Sequence, residues 1–161
     1  MEEWLGMENG FMRKAIELSV ENVRLGKGGP FAALVVKDGK IIATGTNLVT
    51  TTFDPTAHAE VVAIREACRA LSQFQLTGCE IYTSCEPCPM CMGAIYWARP
   101  SKVYFGNTHA DAAKIGFDDS FIYQQLKAPA EKRVIPMIPL LRDEALAAFD
   151  EWERKSDRVP Y

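Results

Sequence analysis

The chain has 161 residues, of which 48% are hydrophobic and 24% charged, and this composition is typical of one soluble globular domain with a single core. A formal net charge of -3 argues against a broad basic surface for nucleic acid, and no apolar run is long enough to span a membrane. The acidic N-terminus lacks the basic start and apolar core of a signal peptide, so a cytoplasmic location is expected.

The first half of the chain predicts one helix followed by a β-hairpin. Apolar residues with helical spacing predict a helix over about residues 8–25. Two β-prone runs, 31–37 and 40–47, then flank Asp38 and Gly39, a dipeptide that favours a tight hairpin turn. The residues expected to form the buried face of the first helix are Met12, Ile16, Val20 and Val23.

In the second half, helices alternate with strands. Asp54 is expected to be the N-cap of a helix that has Pro55 in its first position and ends near Leu71. Since the hairpin makes at least one strand pair antiparallel, the chain is expected to be one α/β domain over residues 1–161, a three-layer α/β/α sandwich with a mixed central sheet. The remaining expected elements are a strand over 79–84, a helix from Pro87 to about Trp97, a strand over 102–107, short helices and loops over 107–133, an extended piece over 134–140 and a helix over 143–154.

The cysteines favour metal binding over a disulfide framework. Their number is odd, and three of the five lie within seven residues, whereas a disulfide framework would spread an even number along a secreted chain. The five are Cys68, Cys79, Cys85, Cys88 and Cys91.

The spacing of four residues near two predicted helix starts indicates a zinc site. Cys88 and Cys91 are three apart, so both thiolates face one side of a helix, whose N-terminus favours the thiolate form. His58 is a candidate third ligand, whereas Glu60, two residues further on, points in a different direction. Three ligands leave one tetrahedral position open, as in a catalytic zinc site, and Cys85 is the rival that would close it.

These residues form a known signature. "HAE" at 58–60 and "PCPMC" at 87–91 match the H-x-E…P-C-x-x-C pattern of the zinc-dependent nucleobase and nucleoside deaminases. The resemblance implies one Zn²⁺ per subunit, held by His58, Cys88 and Cys91. It implies that Glu60 is a proton shuttle, which takes a proton from water, delivers it to a ring nitrogen and helps to protonate the departing ammonia.

A narrower resemblance covers roughly residues 8–161. The stretches "GGPFAALVVKDGKIIATGTN", "YTSCEPCPMCMGAIYWARP" and "GFDDSFIY" look like those of bacterial guanine deaminases, which have a cytidine deaminase-like fold and convert guanine to xanthine and ammonia. The resemblance implies that Asp119 is a second proton shuttle, near the amino group at C2 of guanine. It also implies a homodimer that exchanges residues from about 135 to 161, with Tyr161 reaching the partner's active site. The residues expected to contact the base are Phe31, Asn47, Ala59, Cys85, Glu86, Trp97 and Tyr161.

The residues themselves leave alternatives open. Asn47 also suits a turn, Trp97 suits plain core packing, and Asp119 suits a helix N-cap. The zinc signature is equally compatible with deamination of a tRNA adenosine, cytosine, ammeline or guanosine. A structural zinc module would have four protein ligands and no use for Glu60. A role in nucleic-acid binding ranks third among the alternative functions. The basic residues are interspersed with acidic ones, which is typical of an ordinary solvated surface.

Overall fold

A computed structural model of the chain describes residues 2–161, with side chains from residue 6 onward. Residues through Asp119 form one compact unit, and residues 120–161 form a second. The first unit contains a four-stranded sheet in the order β2-β1-β3-β4. The strands are β1 (Ala32–Lys37), β2 (Lys40–Thr46), β3 (Cys79–Cys85) and β4 (Lys102–Asn107).

The sheet is mixed, as predicted from the hairpin. Strand β1 is antiparallel to both β2 and β3, whereas β3 and β4 are parallel. Asp38 and Gly39 form the tight turn between β1 and β2, and both have positive φ, 48° and 70°. Two central residues with positive φ match the right-handed twist of the flanking strands, which explains the preference for Asp-Gly here.

Helices cover both faces of the sheet, which confirms the predicted α/β sandwich. The helices of the first unit are α1 (Glu2–Arg24), α2 (Val49–Thr52), α3 (Ala59–Leu71), α4 (Pro89–Ala98) and α5 (His109–Lys114). Alternate residues of β1 and β3 enter two separate cores. Ala33 and Ile81 belong to the core beneath α3 and α4, whereas Leu34 and Tyr82 belong to the core beneath α1.

Two details of the helices differ from the prediction. The face of α1 that packs on the sheet carries small residues, Ala15, Ser19 and Asn22, because the helix lies close to the strands. The expected face was wrong: Ile16, Val20 and Val23 are all more than 40% exposed, and Met12 is half-buried.

The start of the next long helix was also placed too early. Asp54 is not its N-cap, because the Asp54 carboxylate accepts from the Thr56 backbone N–H at 2.8 Å and closes a turn before the helix. The N-cap is His58, and α3 begins at Ala59.

The second unit consists of helices and irregular chain. It contains α6 (Ser120–Lys127), a 3₁₀ turn (Ala130–Lys132) and α7 (Arg142–Arg154), and residues 134–140 join no strand. None of residues 120–161 is buried, so the apolar stripe of α7, formed by Leu146, Phe149 and Trp152, is exposed. Across the described residues, no helix combines the length and apolar character needed to cross a membrane.

Candidate metal centre and active site

The start of α3 presents His58 and Glu60 from a closely packed segment. His58 is the N-cap, with an extended backbone, and its carbonyl accepts from the Val62 N–H at 2.9 Å. Gly45 of β2 lies against this turn, and a Cβ there would stand 2.2 Å from the Ala59 carbonyl oxygen. Glycine therefore allows α3 to begin directly on the sheet, which buries Glu60 to 6% exposure.

The start of α4 presents the two cysteines. Cys88 is the N-cap and Pro89 takes the first helical position, where its fixed φ suits the helix and its missing N–H costs nothing. Cys91 lies in the first turn of α4 and is fully buried. The preceding segment is tied to the end of β4, because the Glu86 backbone N–H donates to the Asn107 carbonyl at 2.8 Å.

Three side-chain donors converge between these helix starts. Nδ1 of His58 lies 3.5 Å from Sγ of Cys88 and 3.6 Å from Sγ of Cys91, and all three donor atoms lie within 4.8 Å of one another. Tetrahedral zinc, with Zn–S of about 2.3 Å and Zn–N of about 2.0 Å, places sulfur and nitrogen about 3.5 Å apart. The donor set therefore fits a zinc ion with three protein ligands.

Cys85 does not join this group. Its thiol is directed to the Thr108 carbonyl oxygen, 3.7 Å away. Burial raises the pKa of Cys85 to about 11, and the Glu60 charge adds to that effect, so the side chain is a neutral thiol at physiological pH. Cys85 is outside the group of converging donor atoms, which is consistent with an open fourth position.

The three donor side chains shift one another's pKa values when no metal is bound. The pairing of the two thiols lowers the pKa of Cys88 and raises the pKa of Cys91. The hydrogen bond with Cys88 also raises the pKa of His58. Protons on these side chains therefore compete with a metal ion for the same donor atoms.

Glu60 lies beside the metal donors and is positioned by two hydrogen bonds. Its Oε1 accepts from the Thr83 hydroxyl at 3.2 Å, and its Oε2 accepts from the Cys91 thiol at 3.5 Å. Burial raises the pKa of Glu60. A raised pKa makes this carboxylate a stronger base than an exposed glutamate, which suits a group that takes a proton from water.

Comparison with known proteins identifies the family. Residues 7–107 match the family model of the cytidine and deoxycytidylate deaminase zinc-binding region. The chain belongs to this deaminase family. The deaminase chain is 54% identical over 151 residues to the guanine deaminase of Bacillus subtilis (strain 168), which covers 94% of this chain and 97% of that protein.

Solved structures and a second relative refine the comparison. The X-ray structure of guanine deaminase from Bacillus subtilis superimposes on this deaminase chain with a TM-score of 0.93, at 54% identity, and covers 95% of this chain and 98% of that one. A tRNA-specific adenosine deaminase of Aquifex aeolicus (strain VF5) is 50% identical over only 76 residues, 47% of this chain and 50% of that protein. The likeness to the guanine deaminase thus extends beyond the zinc-binding region.

Asn47 is held by backbone groups on both sides. Its Oδ1 accepts from the backbone N–H groups of Gly29 and Val49, each at 3.4 Å, so the amide hydrogens on Nδ2 are the part of the side chain that can donate to a base. Asn22 of α1, which the sequence reasoning missed, donates from Nδ2 to the carbonyl oxygens of Gly29 and Asn47, both at 2.9 Å. Asn22 was missed because it lies on the face of α1 that was expected to point to solvent.

Phe31 forms an aromatic corner with a residue that the sequence reasoning also missed. The ring of Phe117 meets that of Phe31 edge-on, with centroids 4.9 Å apart. A Cβ on Gly29 would lie 3.2 Å from both rings, so a larger residue here would require the rings to shift by a few tenths of an ångström. Phe117 directly precedes Asp118 and Asp119 in the deaminase chain. The sequence signal that could have identified Phe117 was the "GFDD" stretch that contains it.

The Glu86 and Asp119 carboxylates have different electrostatic surroundings. Glu86 Oε2 accepts from the backbone N–H of His109 at 3.0 Å and lies 2.7 Å from His109 Nδ1, which lowers the pKa of Glu86. Burial raises the pKa of Asp119, and the Cys88 charge raises it further while that of His109 opposes it. His109, at the start of α5, is a further residue that the sequence reasoning missed.

The other expected base contacts have separate positions. Ala59 is fully buried between His58 and Glu60. Trp97, near the end of α4, is 63% exposed, so the core-packing alternative is wrong for this deaminase. Tyr161 is the last residue of the second unit and is 70% exposed.

Proposed function

We propose that this chain catalyses the hydrolytic deamination of guanine, in which guanine and water give xanthine and ammonia. The observation that carries the proposal is the convergence of His58, Cys88 and Cys91 around a buried carboxylate, Glu60, that is not one of the metal donors. The 54% identity to a guanine deaminase over nearly the whole chain supports guanine, and the partial match to a tRNA adenosine deaminase gives that alternative less support.

The metal site and Glu60 divide the chemistry between them. His58, Cys88 and Cys91 would hold one zinc ion per subunit, and the bound ion would supply a nucleophile at neutral pH by lowering the pKa of water. Glu60 takes the proton that the attacking water loses and delivers it to a ring nitrogen of guanine. It then helps to protonate the amino group at C2, which leaves as ammonia. Burial raises the pKa of Glu60, which favours its role as a proton acceptor.

The neighbouring side chains position the base. Asn47 can donate from Nδ2 to a carbonyl oxygen on the ring edge, because its Oδ1 is already engaged. The Phe31 ring offers an apolar wall, with Phe117 behind it. The raised pKa of Asp119 suits a second proton shuttle near the C2 amino group, while the segments around Ala59, Cys85 and Glu86 line the site.

The test is ammonia release from a panel of substrates with zinc measured in parallel. Guanine is compared with adenine, cytosine, guanosine and ammeline, using the wild type and Glu60→Gln. We expect release from guanine that Glu60→Gln abolishes at unchanged zinc content. Faster release from another compound would refute guanine as substrate, and silence on every compound with zinc bound would favour a structural zinc site.

We propose further that the chain is a homodimer that exchanges C-terminal segments, with Tyr161 of each subunit reaching the other active site. The support is the exposure of the second unit: none of its residues is buried, and it carries many large exposed apolar side chains. So many exposed apolar side chains in one segment favour contact with a protein partner over contact with water. The most exposed of these residues are Ile135, Ile138, Leu140, Phe149 and Tyr161.

Complementation between two damaged chains tests the exchange. Glu60→Gln has an intact tail, whereas a chain lacking residues 157–161 keeps Glu60 and is expected to turn over guanine weakly. Mixed under conditions that exchange subunits, the pair should regain activity, because the truncated subunit receives the tail of its partner. Full activity of the truncated chain alone, or no gain on mixing in a dimer shown to exchange subunits, would refute the swap.

A cytoplasmic location stays a prediction. All five cysteines are free, and two of them are metal donors that must stay reduced. Reduced thiols persist in the cytosol, which supports that location.

A further inference from the structure

Thr83 makes a buried hydrogen bond to the proposed proton shuttle. Its hydroxyl lies 3.2 Å from Oε1 of Glu60, and neither residue is more than 6% exposed. The other carboxylate oxygen, Oε2, accepts from the Cys91 thiol at 3.5 Å. The two oxygens of Glu60 therefore have different donors, one on a strand and the other a metal ligand.

Only one of these two hydrogen bonds can survive metal binding. Cys91 binds zinc as a thiolate, which has no proton to donate to Glu60. Thr83 is outside the donor group and keeps its hydroxyl proton. The loaded site therefore holds Oε1 of Glu60 through Thr83 and frees Oε2 for the proton that is transferred.

The position of Thr83 makes this donor rigid. Thr83 lies in β3 between Ala33 of β1 and Phe105 of β4, so neighbouring strands hold its backbone on both sides. Its β-branched side chain has few rotamers available in a strand. Valine has nearly the same shape and a higher preference for buried strand positions, so packing alone gives no reason for a hydroxyl here.

We infer that Thr83 is a positioning residue for Glu60: its hydroxyl holds Oε1 so that Oε2 faces the water and the base. The inference rests on the proposed function for the role of Glu60 as proton shuttle. A positioned hydrogen bond to a carboxylate contributes roughly tenfold or more to a rate that depends on the orientation of that carboxylate. Removing it should therefore lower kcat and leave KM and metal binding unchanged.

Two variants separate the hydroxyl from the shape of the side chain. Thr83→Val removes the hydroxyl and keeps the volume, and we expect kcat for guanine to fall about tenfold with KM changed less than about twofold and full zinc content. Thr83→Ser restores the hydroxyl and should stay within about threefold of the wild type. Thr83→Ala replaces the valine variant in this comparison if the latter does not fold.

A second readout uses metal-free protein and needs no turnover. The infrared carboxyl band of Glu60 is identified by its loss in Glu60→Gln. It should shift in Thr83→Val and stay in place in Thr83→Ser. An unshifted band, or a shifted band with unchanged kcat, would overturn the inference. A wild type that does not deaminate guanine would refute the proposed function instead, and the infrared band would then decide whether Thr83 holds Glu60.

Discussion

Gly45→Ala should separate α3 from the sheet and disable the site without touching a functional side chain. The added Cβ would lie 2.2 Å from the Ala59 carbonyl oxygen and 2.5 Å from the Ala63 backbone nitrogen. Both are backbone atoms of the helix, so no side chain can rotate away. Since ordinary contact begins near 3.4 Å, the start of α3 must retreat by about 1.2 Å. His58 and Glu60 lie on that turn and must move with it.

A displacement of about 1 Å at reacting groups costs about 100-fold in rate, and overpacking of this kind costs about 1–3 kcal/mol of stability. The measurements are kcat for guanine, zinc content and the free energy of unfolding in urea. Gly10→Ala is the matched control: nothing lies within 4 Å of its Cβ, and it should stabilise α1 by about 0.5–1 kcal/mol. Wild-type activity and stability in Gly45→Ala would refute the argument that this glycine sets the helix position.

Three further predictions use other parts of the chain. Cys85→Ser should retain one zinc per chain by elemental analysis, because the Cys85 thiol is directed to the Thr108 carbonyl and not to the metal donors. Loss of zinc in this variant would identify Cys85 as a ligand. Phe53→Asn should raise the free energy of unfolding by about 1 kcal/mol, because Phe53 is 93% exposed with φ of 54°, a conformation that asparagine adopts more easily. Burial and Glu80 raise the pKa of Tyr82, so the unfolded chain loses the phenol proton at a lower pH than the folded chain. The free energy of unfolding should therefore fall above about pH 10 by up to about 1.4 kcal/mol per pH unit, and Tyr82→Phe should show a shallower fall.

The elements and the metal donors were predictable because each depends on local patterns. Two β-prone runs, 31–37 and 40–47, with Asp-Gly between them, specify a hairpin at short range. The spacing of Cys88 and Cys91 likewise determines that both face one side of a helix start. The structure brings these donors together with His58 and places Glu60 beside them.

The missed features depend on distances between segments far apart in the chain. Thr83 is 23 residues from Glu60, and Asn22 is 25 from Asn47, so no local pattern links them. The face of α1 was misjudged for a related reason. A helix that packs closely on a sheet buries small residues such as Ala15, whereas the period of large apolar residues follows the face left exposed.

The two helix starts also affect the chain as a polymer. His58 and Cys88 are 30 residues apart, and one ion bound between them closes that segment into a loop, as a disulfide would. By the chain-entropy estimate, a crosslink of this span restricts the unfolded state by about 3–4 kcal/mol. A bound metal would then stabilise the packing of α3, β3 and α4 in addition to taking part in catalysis. A chain that loses its ion also loses part of its resistance to unfolding, so inactive copies become the preferred targets of cellular proteases.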